Sequence, residues 1–150
     1  MPLVIQPDFS AMNVAKLLIL RTYWRWNDDP LVDAEHTQDE VNALWDELYD
    51  DLQDARYDTR HHGTRVSSAD VPERIHFSWS RNYEVDTHVI HLDDKRGLAF
   101  NYVTGGGKHG DPDSYPWWQE AWFVKCTGSE TVSVTTYSYK DIPDEPAKPE

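Results

Sequence analysis

The chain has 150 residues and a formal net charge of −13, from 27 acidic residues and 14 Lys or Arg. This length fits one domain with a core that needs no cross-link, and the single cysteine, Cys126, excludes an intramolecular disulfide. The negative charge argues against direct binding to nucleic acid or to an anionic membrane. The best apolar stretch, 14–20, is far shorter than the roughly 20 residues that span a bilayer, so we expect a soluble, cytoplasmic protein.

Two helices are predicted in the first sixty residues. Ser10 can cap a first helix that runs to about Trp24 or Trp26. Thr37-Gln-Asp-Glu40 has the capping-box pattern, in which the Thr hydroxyl and the Glu carboxylate each bind an amide of the first turn. A second helix is therefore expected from this box to near residue 60. Its apolar stripe consists of Val41, Leu44, Trp45, Leu48, Leu52 and Ala55.

From about residue 74 the apolar residues alternate with polar ones, which predicts an antiparallel sheet. The five expected strands are 74–80, 84–92, 98–103, 119–126 and 130–139. The fold class is thus α+β: two N-terminal helices packed on one antiparallel sheet of about five strands. Residues 1–140 are expected to form one α+β domain, and 141–150, with three prolines among charges, a disordered acidic tail.

The turns between the first three strands predict how the strands pair. A two-residue loop at Asn82-Tyr83 and a turn at 93–97 give two registers that agree on one apolar face of the sheet. The predicted pairs are His88 with Phe77 and Tyr102, and Ile90 with Ile75 and Phe100.

The charge is concentrated between residues 27 and 58, where twelve carboxylates face one cation, Arg56, so that −11 of the net −13 lies there. Like charges repeat four residues apart, which forgoes the roughly 0.2–0.5 kcal/mol of an opposite-charge pair. Aspartates near the C-terminal end of the helix also oppose its macrodipole. Both arrangements lower the stability of the helix and bring it no local gain. They therefore favour a partner-binding surface over a face that only contacts solvent. The binding residues expected on this segment are Asp39, Asp46, Glu47, Asp50, Asp51, Asp54 and Asp58.

A loop rich in Gly, Pro and Asp, 104–116, leads into the expected apolar anchors, Tyr115, Trp117 and Trp118. Aromatic residues beside a charged surface are typical of binding hot spots. Neighbours on a strand face opposite sides, so at least one of the two indoles is expected to be exposed. The alternative is that one of them covers the sheet. The glycines at 105–107 lack the spacing of a phosphate-binding loop, so no nucleotide site is predicted.

The carboxylate spacing predicts an inhibitor of a basic protein partner. Carboxylates one helical turn apart are separated by about 5–6 Å, close to the spacing of successive phosphates on a nucleic-acid strand. In this general character the chain resembles bacterial immunity proteins and phage anti-defence proteins. An immunity protein against a nuclease-type toxin is the first expectation. The alternatives are a phage-encoded, anti-CRISPR-like inhibitor that mimics DNA to block a nucleic-acid-binding defence complex, and a subunit of a larger assembly.

Histidines support a rival hypothesis, a small enzyme with a His/Asp pocket. His61 and His62 follow the second helix, and His109 lies beside Asp111. No nucleophile, base and acid can be assembled from the spacing of these residues, so no catalytic residue is predicted. The carboxylates lack the Asp-x-Asp-x-Asp-Gly pattern of a calcium loop. We therefore predict no metal site and no cofactor.

Overall fold

The computed structural model describes residues 8–67, 69–72, 74, 84–93, 95–105, 115–128 and 135–140. These residues form helices and one four-stranded antiparallel sheet, so the predicted α+β class is confirmed. The helices are α1 (Ala11–Trp26), α2 (Gln38–Leu48) and α3 (Gln53–Thr59). The strands are β1 (Thr64–Val66), β2 (Glu84–His91), β3 (Arg96–Thr104) and β4 (Trp122–Lys125), in the order β1-β2-β3-β4. Four strands, rather than about five, lie in the described part of the chain.

Both predicted helix starts are confirmed. The Ser10 hydroxyl accepts a hydrogen bond from the amide of Asn13 at 3.2 Å. At the start of α2, the Thr37 hydroxyl accepts from the Glu40 amide at 3.2 Å, and the Glu40 carboxylate accepts from the Thr37 amide at 2.8 Å. The Thr37 amide and, to a smaller extent, the Thr37 side chain lower the pKa of the Glu40 carboxyl, because both favour its charged form. Helix α1 ends at Trp26 with Asn27 as its C-cap, and Asp28 follows in the left-handed region with φ 52°.

The second predicted helix is interrupted. A 3₁₀ turn, Tyr49–Leu52, separates α2 from α3, and another, Arg60–His62, follows α3. Leu52, in the first of these turns, is fully buried, so its side chain packs in the core at the place where the backbone changes from α-helix to 3₁₀ turn. A 3₁₀ turn has about 3.0 residues per turn rather than 3.6. The prediction of one regular ladder of carboxylates four residues apart is therefore wrong across this turn.

Between β2 and β3 the predicted register is wrong by two residues. Ile90 lies opposite Leu98, and His88 lies opposite Phe100. The turn is tighter than expected because the amides of Leu92 and Asp93 both donate to the Arg96 carbonyl. Strand β3 therefore begins at Arg96, and because the shift is even, each side chain keeps its predicted face.

At its other edge β2 pairs with β1, which the sequence analysis did not predict. The predicted pair of His88 with Phe77 is wrong, because Arg65 lies opposite His88 at this edge and Phe100 lies opposite it at the other. The rest of the predicted strand 74–80, including the pair of Ile90 with Ile75, lies mostly outside the described residues. The segments 106–114, 129–134 and 141–150 also lie outside them. Residues 135–140, where the last strand was predicted, are exposed and have no regular structure.

The core lies between the helices and one face of the sheet, with α1 at its centre. Val14, Ile19 and Leu20 are fully buried, and Phe100 meets them from β3. Two buried hydroxyls join α1 to α3: Thr59 donates to Thr22 at 2.8 Å, and Thr22 donates to the Leu18 carbonyl at 3.0 Å. Within the described residues, no helix is long and apolar enough to cross a membrane.

Candidate partner-binding surface

The predicted carboxylates lie along α2, the 3₁₀ turn Tyr49–Leu52 and α3. Six of the seven are exposed, and Asp58 is half-buried, with its carboxylate 3.5 Å from His62 Nε2. The apolar stripe turns inward: Val41, Trp45 and Leu52 are buried. The segment thus has an apolar inner side and a charged outer side. We call the outer side the acidic surface: Asp39, Asp46, Glu47, Asp50, Asp51, Asp54 and Asp58.

The Lys and Arg ion pairs found between described residues lie away from the acidic surface. Between described residues, the Lys and Arg ion pairs are Arg65 with Asp86 at 3.3 Å and Arg96 with Asp93 at 3.7 Å. Neither of these pairs involves the acidic surface. The ammonium group of Lys16, on α1, donates to the Asn42 side chain at 3.0 Å.

Arg56 is the one Lys or Arg between residues 27 and 58, which we call the acidic segment, and it is held against aromatic rings. Its Nη1 donates to the Tyr49 carbonyl at 2.7 Å, and its guanidinium centre lies 4.1 Å from the centre of the Tyr49 ring. The ring centres of Trp118 and Trp45 lie 5.4 Å and 5.9 Å from the same guanidinium. Burial lowers the pKa of the Arg56 guanidinium, whereas Tyr49 and Asp50 favour its charged form. The arginine thus stabilises aromatic packing beneath the acidic surface.

The prediction that an indole of Trp117 or Trp118 is exposed is wrong. Trp117 is 2% exposed and Trp118 is 6% exposed. The cause is local: Trp117–Glu120 is a 3₁₀ turn rather than a strand, so the two neighbours do not alternate between sheet faces. Trp117 packs on Phe100 at a ring distance of 4.7 Å, and Trp118 packs on Trp45 at 5.7 Å.

Tyr115 is buried as well, at 2% exposure. Its hydroxyl donates to Glu120 Oε1 at 3.0 Å and accepts from Asn101 Nδ2 at 3.0 Å. Burial raises the pKa of this tyrosine far above its ordinary value. Tyr115, Trp117 and Trp118 are therefore core residues in the free protein, and none of them presents an exposed ring to a partner.

The sequence analysis missed two exposed aromatic residues that lie within the acidic segment itself. Tyr49 is 41% exposed and Tyr57 is 44% exposed. Their positions offered a signal, because neither belongs to the apolar stripe of the predicted helix, so neither was needed for its burial. Trp26, at the end of α1, is also exposed.

A second cluster lies where the helices end above the sheet. The ring of His88 stacks on Tyr102 with ring centres 4.2 Å apart, and His61 Nδ1 lies 3.0 Å from the Tyr102 hydroxyl. The buried Arg60 guanidinium lies 4.9 Å from the Tyr102 ring and 4.6 Å from the Tyr57 ring. Tyr102 therefore joins two histidines that are 27 residues apart in the sequence.

The surroundings of the His88 ring disfavour its charged form. Its Nδ1 atom is buried and has no hydrogen-bond partner within the described part of the chain. Burial lowers the pKa of His88; Arg65, His61 and Arg60 lower it further, whereas Asp86 opposes them.

The described residues show no metal site, because no group of three or more His, Cys, Asp or Glu among them is placed to hold an ion. His109 and Asp111, part of the predicted enzyme pocket, lie outside the described residues.

No protein-family model, curated protein or solved structure matches this chain.

Proposed function

We propose that this chain is an inhibitory protein whose acidic surface covers the nucleic-acid-binding site of a basic protein. One observation supports this most strongly: the surface exposes six carboxylates while the only Lys or Arg of its segment is held against Tyr49. A surface that served solubility alone would gain stability from mixed charges. Concentrated like charge instead suits steering towards an oppositely charged partner and rejection of partners of the same sign.

The partner class follows from the same chemistry. A protein that binds nucleic acid uses Lys and Arg to neutralise phosphates, and these side chains can equally meet carboxylates. An immunity protein against a nuclease-type toxin is our first proposal. A phage-encoded anti-defence inhibitor would use the same surface. The neighbouring genes distinguish the two: a toxin gene supports immunity, and a prophage operon supports anti-defence.

The test begins with capture of the partner from a host lysate at low salt and its elution at high salt. Association rates are then measured over a range of salt for the wild type and for the variant Asp46→Lys/Asp50→Lys/Asp54→Lys. We expect the variant to associate about tenfold or more slowly at low salt and with a weaker salt dependence. Circular dichroism checks that the fold is intact.

A matched control separates location from total charge. Asp8, Asp70 and Glu84 are exposed and lie outside the acidic surface. Reversing all three to Lys changes the net charge by the same amount. We expect this control to associate at close to the wild-type rate. Equal slowing of both variants would show that total charge, rather than the acidic surface, directs binding, and the proposal would be wrong.

A further inference from the structure

The acidic surface contains the same short pattern twice, Asp-x-x-Tyr-Asp, at residues 46–50 and 54–58. In each copy the first Asp precedes the Tyr by three residues, about one helical turn, so carboxylate and ring lie on the same side of the segment. The exposed tyrosines of these two units are Tyr49 and Tyr57. Each unit therefore presents an accessible aromatic ring beside carboxylates.

Each ring is also backed by an arginine on its inner side. Arg56 lies 4.1 Å from the Tyr49 ring and 5.4 Å from buried Trp118, which places this cation towards the core. Arg60 is 6% exposed and lies 4.6 Å from the Tyr57 ring.

Other rings support the two tyrosines edge-on. Trp45 contacts Tyr49 with ring centres 5.8 Å apart, and His61 contacts Tyr57 at 4.8 Å. Rings held in this way lose little freedom when a partner binds, which is the physical basis of preorganisation.

We propose that each unit receives one arginine of the partner, whose guanidinium stacks on the outward face of the tyrosine. The guanidinium donates to the Asp three residues earlier, Asp46 in one unit and Asp54 in the other. These carboxylates also offset the repulsion from the arginine behind each ring. The inference rests on the proposed function and specifies its partner: a protein surface with two arginines about 14 Å apart. The two tyrosines are eight residues apart, and the 3₁₀ turn Tyr49–Leu52 between them rises about 2.0 Å per residue while the α-helical part rises about 1.5 Å.

Arginine fits these units better than lysine does. A guanidinium is planar and weakly hydrated, stacks on aromatic faces, and can donate two parallel hydrogen bonds to one carboxylate. A lysine ammonium is a compact and strongly hydrated charge, so it can meet the carboxylates but gains less from the ring. The units therefore convert a general attraction for cations into a preference for arginine.

The experiment uses two peptides as probes, one of nine arginines and one of nine lysines, titrated calorimetrically at one fixed ionic strength. We expect the wild type to bind the arginine peptide about fivefold or more tightly than the lysine peptide. The variant Tyr49→Leu/Tyr57→Leu should lose this preference by weakening arginine binding alone. Tyr49→Phe/Tyr57→Phe keeps both rings and should retain it. Tyr137→Leu removes an exposed tyrosine outside the segment and serves as the control.

Three outcomes would overturn the inference: equal binding of both peptides by the wild type, equal weakening of both by the leucine variant, or loss of the preference in the Tyr137 control. Sedimentation adds a fourth, because self-association lost in the leucine variant would make this surface a contact between copies. The variant Asp46→Lys/Asp50→Lys/Asp54→Lys tests the proposed function separately. If it binds both peptides as the wild type does, the charge argument itself fails.

Discussion

Replacing Arg56 distinguishes an arginine that packs on aromatic rings from one that merely offsets negative charge. Arg56→Met keeps a long apolar stem but removes the stacking on Tyr49 and the 2.7 Å hydrogen bond to its carbonyl. Cation–π stacking contributes about 0.5–2 kcal/mol, and a charged donor about 1.5–3 kcal/mol. Since the side chain is half-buried, we take the low ends and expect a loss of about 2 kcal/mol in unfolding free energy. Arg56→Lys keeps the charge but not the planar stack and should lose about 1 kcal/mol.

Urea denaturation at low salt and at 1 M salt measures both variants. In 1 M salt the screening length is about 3 Å, so interactions between exposed charges largely disappear, whereas stacking on Tyr49 remains. We expect the loss in Arg56→Met to persist at high salt. A lysine variant as stable as the wild type, together with a methionine variant whose loss vanishes at 1 M salt, would refute the reasoning. Arg56 would then be a counter-charge for the acidic surface.

Two further predictions concern the core and the histidine cluster. Trp117→Ala removes a buried indole that packs on Phe100 and donates to the Arg56 carbonyl at 3.0 Å. We expect this variant to lose about 3–5 kcal/mol of unfolding free energy, measured by thermal or urea denaturation. A loss below about 1 kcal/mol would contradict the burial of the indole. Because the pKa of His88 is lowered in the folded protein, its contribution to stability should be complete above about pH 6.5 and should decrease as pH falls below it. Urea midpoints between pH 8 and pH 5 should show this slope, and His88→Leu should flatten it; an unchanged slope in His88→Leu would rule out His88 as its source.

Local sequence signals predicted the starts of the first two helices well because caps act within one turn. Ser10 and the capping box at Thr37 and Glu40 each satisfy backbone amides close by in the sequence, so their patterns could be read without knowledge of the fold. The acidic surface was also predictable, since an amphipathic segment turns its apolar stripe inward and its charges outward.

Features that depend on tertiary contacts were not predictable in this way. Strand β1 has three residues, too few to show a period, and it is defined by its pairing with β2. The register between β2 and β3 depended on two amides that share the Arg96 carbonyl. Trp117 and Trp118 were misassigned because a strand was assumed where a 3₁₀ turn forms, and the exposed Tyr49 and Tyr57 were overlooked within the charged run.

The pair of buried threonine hydroxyls has a consequence for recognition. The two hydrogen bonds run in one direction: the Thr59 hydroxyl donates to the Thr22 hydroxyl, which donates to the Leu18 carbonyl. If α3 slid by one turn, about 5.4 Å, along α1, the two hydroxyl oxygens would separate. Each buried polar group left without a partner would cost about 1–3 kcal/mol. The buried pair of Thr59 and Thr22 therefore fixes the position of α3 along α1, and with it the position of the Asp-x-x-Tyr-Asp unit at residues 54–58.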